Sequence, residues 1–210
     1  KRRRKLSLLA EISTEKKNAL ENWFRDTWLQ LEVIRKAIIN AQSENDDYST
    51  LLSGAVSGSK VFIELFIADN NGRIVSSSFK KHEGGSIASF PNVAKGLAGE
   101  NYMYGPYEDK NTLDIPVNAK KFHDEVTLLF STPLELNGEF LLLCARVLND
   151  DMSNVIQEED THFFKESGDN YLFMIKNNRN IAKGTAISRS RFEDDTFTLG
   201  ENLKSGIRTK

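Results

Sequence analysis

The sequence predicts an α+β fold in which a long leading helix precedes antiparallel sheet, and three stretches carry that prediction. Residues 6–41 contain neither Gly nor Pro, and apolar side chains return along them at steps of three and four. Val61–Val75, VFIELFIADNNGRIV, sets a polar Asn70-Asn71-Gly72 break between two apolar runs. Val126–Thr132 and Phe140–Val147 are two further apolar runs, joined through Leu136-Asn137-Gly138-Glu139. Runs of local hairpins with helices to one side build an antiparallel sheet module.

The chain opens on a basic cluster, KRRRK at Lys1–Lys5, which suits a solvated terminus, a membrane flank or a nucleic-acid tail. In the helix, Leu9, Ile12, Ala19, Trp23, Thr27, Leu31, Ile34, Ile38 and Ala41 share one face. At 1.5 Å per residue the rod is about 50 Å long. A small module packs against less than that, so one end is expected to meet a second helix or a membrane anchor. Trp23, Phe24 and Trp28 are expected as packing residues. Residues 43–59 are polar and read as a loop with a short helix near Tyr48–Leu52.

In the Val61–Val75 hairpin the Asn-Gly pair fits a turn that needs positive φ. A weaker copy of it returns 107 residues later: Leu65-Phe66 aligns with Leu172-Phe173, Asn70-Asn71 with Asn177-Asn178, and Ile74 with Ile181. Two related modules in tandem follow from that repeat. Phe79–Phe90 reads as a loop carrying His82 and Gly84-Gly85. Pro91–Leu97 suits a short helix with proline in its first turn, stopped by Gly96 or Gly99. Tyr102, Tyr104 and Tyr107 then surround a Gly105-Pro106 turn. After the two later strands, Asp150 to about Phe164 reads as a connecting helix, and Ser167-Gly168-Asp169 breaks the chain before the second hairpin. The expected domains are 1–59, the helix and its loop; 60–149, the first module; and 150–210, the connecting helix and an incomplete second module.

With 28 Lys+Arg against 30 Asp+Glu, the balance speaks against a general nucleic-acid binder, which carries a basic surplus. The single cysteine, Cys144, excludes an internal disulfide framework and sits in an apolar run as a buried thiol. No stretch approaches the roughly 20 apolar residues that cross a bilayer. The short tail after the second hairpin suggests a fragment of a longer protein. Catalytic and metal-binding sets are not expected. His82, His123 and His162 lack ligand spacing, and Glu158 with His162 forms a lone i, i+4 pair that reads as a solvated face. Ser57-Gly58-Ser59-Lys60 has the Ser-x-x-Lys spacing without its companion motifs. No cofactor is expected.

The order of these segments resembles the double-module Cache sensor domains of bacterial chemoreceptors, histidine kinases and cyclases. The resemblance rests on the long first helix and on LFIADNNGRIVSSS, FPNVAKGLAGENYMYGPYEDKNT, FSTPLELNGEFLLLCARV and DNYLFMIKNNRNIAKGTAIS, taken in sequence. Residues 167–192 also resemble a subgroup of methyl-accepting chemotaxis proteins. The resemblance implies a non-catalytic, extracytoplasmic small-molecule receptor, while the basic Lys1–Lys5 cluster, of a kind that favours the cytoplasmic side of a membrane, keeps a cytoplasmic sensor of similar fold as the alternative. It further implies a homodimer through the long helix and a membrane reached by segments outside this chain. The alternative is a protein-interaction or dimerisation domain without a ligand.

Within the first module the phenols of Tyr102, Tyr104 and Tyr107 suit one wall of a concave site, with the short helix as a lid after a flexible Gly-Gly loop. The amino-acid receptors of the resembled family carry an Arg and a Trp before the short helix and an acidic residue on the last strand. This chain has Ala88-Ser89-Phe90-Pro91-Asn92 and Ala145-Arg146 there, so that scheme does not transfer. Arg146 in an apolar strand needs an anionic partner. It is therefore read as meeting an anionic carboxylate ligand, with Lys95, as forming a salt bridge with Asp124, Glu125 or Glu135, or as a solvent-facing side chain at the strand's edge. The candidate ligand contacts are Phe90, Lys95, Tyr102, Tyr104, Tyr107, Phe130, Ser131 and Arg146, the two phenylalanines and Ser131 lying in the segments that carry the resemblance.

Overall fold

In the computed structural model, residues 2–41, 47–116, 126–157, 170–172 and 207–209 are described. Helix α1 spans Arg2–Ala41, four residues further toward the N-terminus than expected, because Arg and Lys are good helix formers and nothing in the basic cluster breaks the helix. Helix α2 covers Ser49–Gly58, extending beyond the short helix expected near Tyr48–Leu52. Its serines fold back onto the helix, with the Ser53 hydroxyl donating to the Ser49 carbonyl at 2.7 Å and Ser57 to Ser53 at 2.9 Å.

Strands β1 (Phe62–Asp69) and β2 (Ile74–Ser77) form the expected hairpin. Gly72 takes φ +80°, and the Asp69 carboxylate accepts from the Asn71 and Arg73 amides at 2.9 Å, closing the turn from its own first residue. A 3₁₀ turn at Lys80–His82 leads into the segment before α3, which spans Pro91–Leu97 as the sequence predicts. Gly96 does not stop that helix. A Cβ there would stand 2.4 Å from Leu142 Cδ1, so this glycine allows close approach to the sheet.

Residues 102–108 form strand β3 where the sequence suggested a turn. The Gly105-Pro106 step, a cis peptide, is accommodated as a register shift between Tyr104 and Tyr107 in an edge strand, where proline forfeits no ladder bond to a second neighbour. A short helix α4, Lys110–Asp114, follows, capped by the Asp109 side chain on the Asn111 amide. Strands β4 (Val126–Leu136) and β5 (Glu139–Leu148) meet at Asn137-Gly138, where both residues have positive φ, as a type I′ turn demands. Helix α5 covers Asn149–Gln157.

The five strands make an open antiparallel sheet in the order β2-β1-β5-β4-β3. Cross-strand partners share a face. Glu64↔Arg146, Phe66↔Cys144, Ala68↔Leu142, Leu129↔Arg146 and Ser131↔Cys144 therefore put these side chains on one side. Leu65, Ile67, Leu128, Phe130, Leu143, Ala145 and Val147 take the other. That second face meets α1, whose Trp28 ring stands edge-on to Phe130 at 4.9 Å. The first face carries the core of Phe66, Ala68, Leu129, Leu142 and Cys144 together with Ile74, Ile87 and Val93.

The chain divides into two compact units, residues 25–149 and residues 1–24 with 150–210. In the second of these, the described strands β6 (Asn170–Leu172) and β7 (Ile207–Thr209) pair antiparallel. The rest of the repeated hairpin, including Asn177-Asn178 and Ile181, lies outside the described residues, as do Asp124, Glu125, Glu158 and the remaining two histidines.

Candidate functional site

The first face of the sheet is covered by residues 78–97. Backbone bonds stitch this segment to the edge of β2: Ile74 N–H donates to the Gly85 carbonyl, Gly84 N–H to Ile74 and Ile87 N–H to Gly72, each at 2.8 Å. The Gly84-Gly85 pair is thus anchored by its backbone and is not the free hinge the sequence suggested. From this cover Phe90 reaches down to the phenols of β3. Its ring lies 5.4 Å from Tyr104 and 5.1 Å from Tyr107, and the two tyrosines stack at 5.0 Å. All three are partly buried against the core below.

Beside this aromatic wall lies a buried charge cluster. Arg146, 1% exposed, donates from Nε to Glu64 Oε2 at 2.6 Å and from Nη1 to the Tyr107 hydroxyl at 3.2 Å and to Asp109 Oδ2. Its guanidinium also rests over the Phe66 ring, 5.2 Å from the centroid. Tyr107 donates its hydroxyl proton to Asp109 Oδ2 at 2.9 Å, and burial pushes its ionisation up to about 12, so it remains a donor at any ordinary pH. Glu64, wholly buried, further accepts at Oε1 from the Ser77 hydroxyl at 2.7 Å and faces His82 Nδ1 at 2.9 Å. Burial, with the Glu64 charge adding to it, pushes the neighbouring Cys144 thiol well up, so this cysteine is an inert packing residue.

A second polar group sits under α3. Asn92, fully buried, donates from Nδ2 to Ser131 Oγ at 2.7 Å, to the Leu129 carbonyl at 3.2 Å and to the Tyr102 carbonyl at 3.4 Å. Its Oδ1 has no partner. Three acceptors around Nδ2 fix which way the amide points.

The structure brings Phe90, Tyr104, Tyr107 and Arg146 together on the first face and places Ser131 on that face through Asn92. It separates two others from them. Phe130 belongs to the opposite face against Trp28, because consecutive strand residues alternate and Phe130 and Ser131 cannot both line one site. Lys95 pairs with Glu100 at 2.9 Å at the exposed rim, 5.9 Å from the centroid of the Tyr102 ring, and that carboxylate holds its ionisation above the usual lysine range. Arg146 is not open to an incoming carboxylate. It forms the salt bridge that was the second reading of this residue, with Glu64 and Asp109 as partners in place of those considered from sequence. Glu64, Asp109, His82 and Asn92 are the polar residues sequence reasoning missed. A signal for one pair was present: Glu64 is a carboxylate set inside the apolar run of one strand, and Arg146 a lone cation in another.

Among the described residues no group of three or more His, Cys, Asp or Glu is placed to hold a metal ion, and no helix is long and apolar enough to cross a membrane.

No protein-family profile matches the sequence, and no curated protein matches it. Solved structures do match the fold. The sensory domain of the Campylobacter jejuni chemoreceptor Tlp3 superposes with a TM-score of 0.59 at 14% identity, over 84% of this chain and 68% of that one. An extracellular ligand binding receptor from Desulfohalobium retbaense gives a TM-score of 0.63 at 13% identity, over 89% of this chain and 32% of that one. The ligand binding domain of the Pseudomonas aeruginosa amino acid chemoreceptor PctB, in complex with L-Arg, gives 0.58 at 18% identity, over 80% of this chain and 66% of that one. The chain therefore has the Cache-like fold of chemoreceptor sensory domains and spans between about a third and two thirds of these neighbours' lengths.

Proposed function

We propose that this chain is the ligand-sensing part of a membrane-bound bacterial signalling receptor of the chemotaxis type. Its first module takes a small molecule between the sheet and residues 78–97, without catalysis. One observation carries the reading: the two faces of the sheet are built differently. The back face is closed by aromatic and aliphatic packing against α1. The front face has partly buried rings of Phe90, Tyr104 and Tyr107 and a buried amide oxygen on Asn92 with nothing bonded to it. An apolar wall with a few directed polar groups is how small-molecule sites are made.

The fold neighbours support the same reading, since all three are named as sensory or ligand-binding. On this proposal the domain is extracytoplasmic, of double Cache organisation with residues 150–210 beginning the second module, and anchored by segments outside this chain. It is a homodimer through α1, where Leu29 and Val33, one turn apart, are 58% and 67% exposed. The carboxylate-ligand version of the proposal requires an anion to displace Asp109 or Glu64 from Arg146. We therefore give Arg146 a positioning role, holding Tyr107 in the wall.

A thermal-shift screen of the full chain against amino acids, carboxylates, amines and sugars tests the proposal. A true ligand at 100 times its Kd adds about 2.7 kcal/mol. At roughly 2–4 °C per kcal/mol for a chain of this size, that is a shift of about 5–11 °C. A melting temperature that responds to protein concentration and to no compound would replace the sensor reading with that of an interaction module.

A further inference from the structure

The buried cluster holds more carboxylate than cation. Glu64, Asp109 and Arg146 are 0%, 6% and 1% exposed, and two carboxylates against one guanidinium leave one negative charge in excess. Tyr107, neutral at ordinary pH, does not change that sum. Excess buried charge is costly, and His82 is the titratable side chain placed to cancel it. The ring is 8% exposed, its Nδ1 is 2.9 Å from Glu64 Oε1, and its Nε2 is buried with no hydrogen-bond partner.

We propose that His82 is a proton-operated latch that ties the segment covering the site to the sheet. As an imidazolium it balances the charge of Glu64, Arg146 and Asp109 and holds residues 78–90 against β1. As a neutral imidazole it still donates Nδ1–H to Glu64, but the cluster keeps its net negative charge and the attachment weakens. The contact is the same in both states, and only the charge changes.

His82 is well placed for this role. It lies in the 3₁₀ turn at the start of the covering segment, with Phe79 edge-on to its ring at 4.8 Å. The charged groups around it come from four directions. Glu64 lies on β1 with Arg146 behind it on β5. Glu83, next in its own segment, accepts from the Ser77 amide at 3.1 Å. Asp114 on α4 pairs with Lys81 at 2.9 Å, and its carboxyl is held below the usual range chiefly by Lys81. With Lys81 and Asp114 cancelling each other, the excess that His82 meets is that of the buried cluster together with the Glu83 carboxylate.

The latch needs no ligand, so its test is independent of the sensor proposal. An ordinary histidine ionises near about 6.5 and ordinary carboxylates near about 4, so a comparison of pH 8 with pH 5.5 is chosen to address an imidazole and not a carboxylate. The stabilisation belongs to the protonated ring, so on this proposal it grows as the pH falls and is lost as the pH rises. In the full chain without additives, hydrogen-exchange protection of the 78–90 amides, corrected for intrinsic rates, should rise several-fold from pH 8 to pH 5.5. The melting temperature of wild type over His82→Asn should be about 3 °C greater at pH 5.5 than at pH 8. Glu64→Gln, nearly isosteric, removes the excess charge and should flatten or invert the protection profile, which decides the matter even if His82→Asn fails to fold. Protection of residues 78–90 that does not change with pH, or a wild-type profile unaltered by Glu64→Gln, would overturn the latch.

Discussion

Arg146 is held by Glu64, Asp109 and Tyr107 at once, so what its loss leaves behind decides the cost. Removing the guanidinium strands two carboxylates in the interior, where breaking a buried pair costs about 3–5 kcal/mol. Arg146→Ala should therefore lower the unfolding free energy extrapolated from a urea titration by that much. Adding Glu64→Gln should restore part of it, because one of the stranded charges is gone. Full additivity of the two substitutions would mean that they do not share one network. That Arg146 needs an anion was legible from a single charge in FLLLCARV. Its partners were not, since Glu64 and Asp109 lie 82 and 37 residues away and only strand register brings them together. His82 was hidden for the same reason: its partner is chosen by the turn at residues 80–82, which no local pattern announces.

The elements that local chemistry dictates were readable, and those that tertiary packing dictates were not. Asn137-Gly138 declared its hairpin, and Pro91 marked the start of α3. Strand β3 was hidden because Gly105-Pro106 has the local chemistry of a turn, and only pairing with β4 keeps residues 102–108 extended. Alternation along β4 was readable in principle. It separates Phe130 from Ser131 on the sequence alone, because one strand cannot present neighbours to the same face. Glycines of similar conformation also differ in what surrounds them. Gly72 and Gly84 have φ of +80° and +82°, but a Cβ on Gly72 would stand 2.7 Å from the backbone of Ala88 and one on Gly84 would meet nothing within 4 Å. Gly84→Ala should cost only the left-handed strain of roughly 1–2 kcal/mol. Gly72→Ala should cost clearly more, since the Ile87 amide bonded to the Gly72 carbonyl must shift as well. Equal midpoints for the two variants in chemical denaturation would remove the close approach as the cause.

At the scale of the whole molecule, the sequence places the first module at 60–149, while the contacts gather residues 25–149 into one compact unit. The difference lies in what covers the back of the sheet. Leu31, Ile38 and Leu52 are wholly buried and Tyr48 is 4% exposed, all in the stretch between the two proposed starting points. Burying each such side chain contributes about 1.5–3 kcal/mol, so the four supply roughly 6–12 kcal/mol. A domain's entire stability is about 5–15 kcal/mol. A fragment of residues 25–149 should thus unfold in one cooperative transition, its Trp28 fluorescence and far-UV signal coinciding. A fragment of residues 60–149 has lost Trp28 from its place beside Phe130 and the Tyr48 amide from its bond to the Ser76 hydroxyl at 3.2 Å. It should expose the apolar face of β1, β4 and β5, bind a hydrophobic dye and show no cooperative transition. Cooperative unfolding of residues 60–149 at a midpoint near that of the longer fragment would mean that the sheet and its front cover suffice, and that the helices behind them serve association rather than folding.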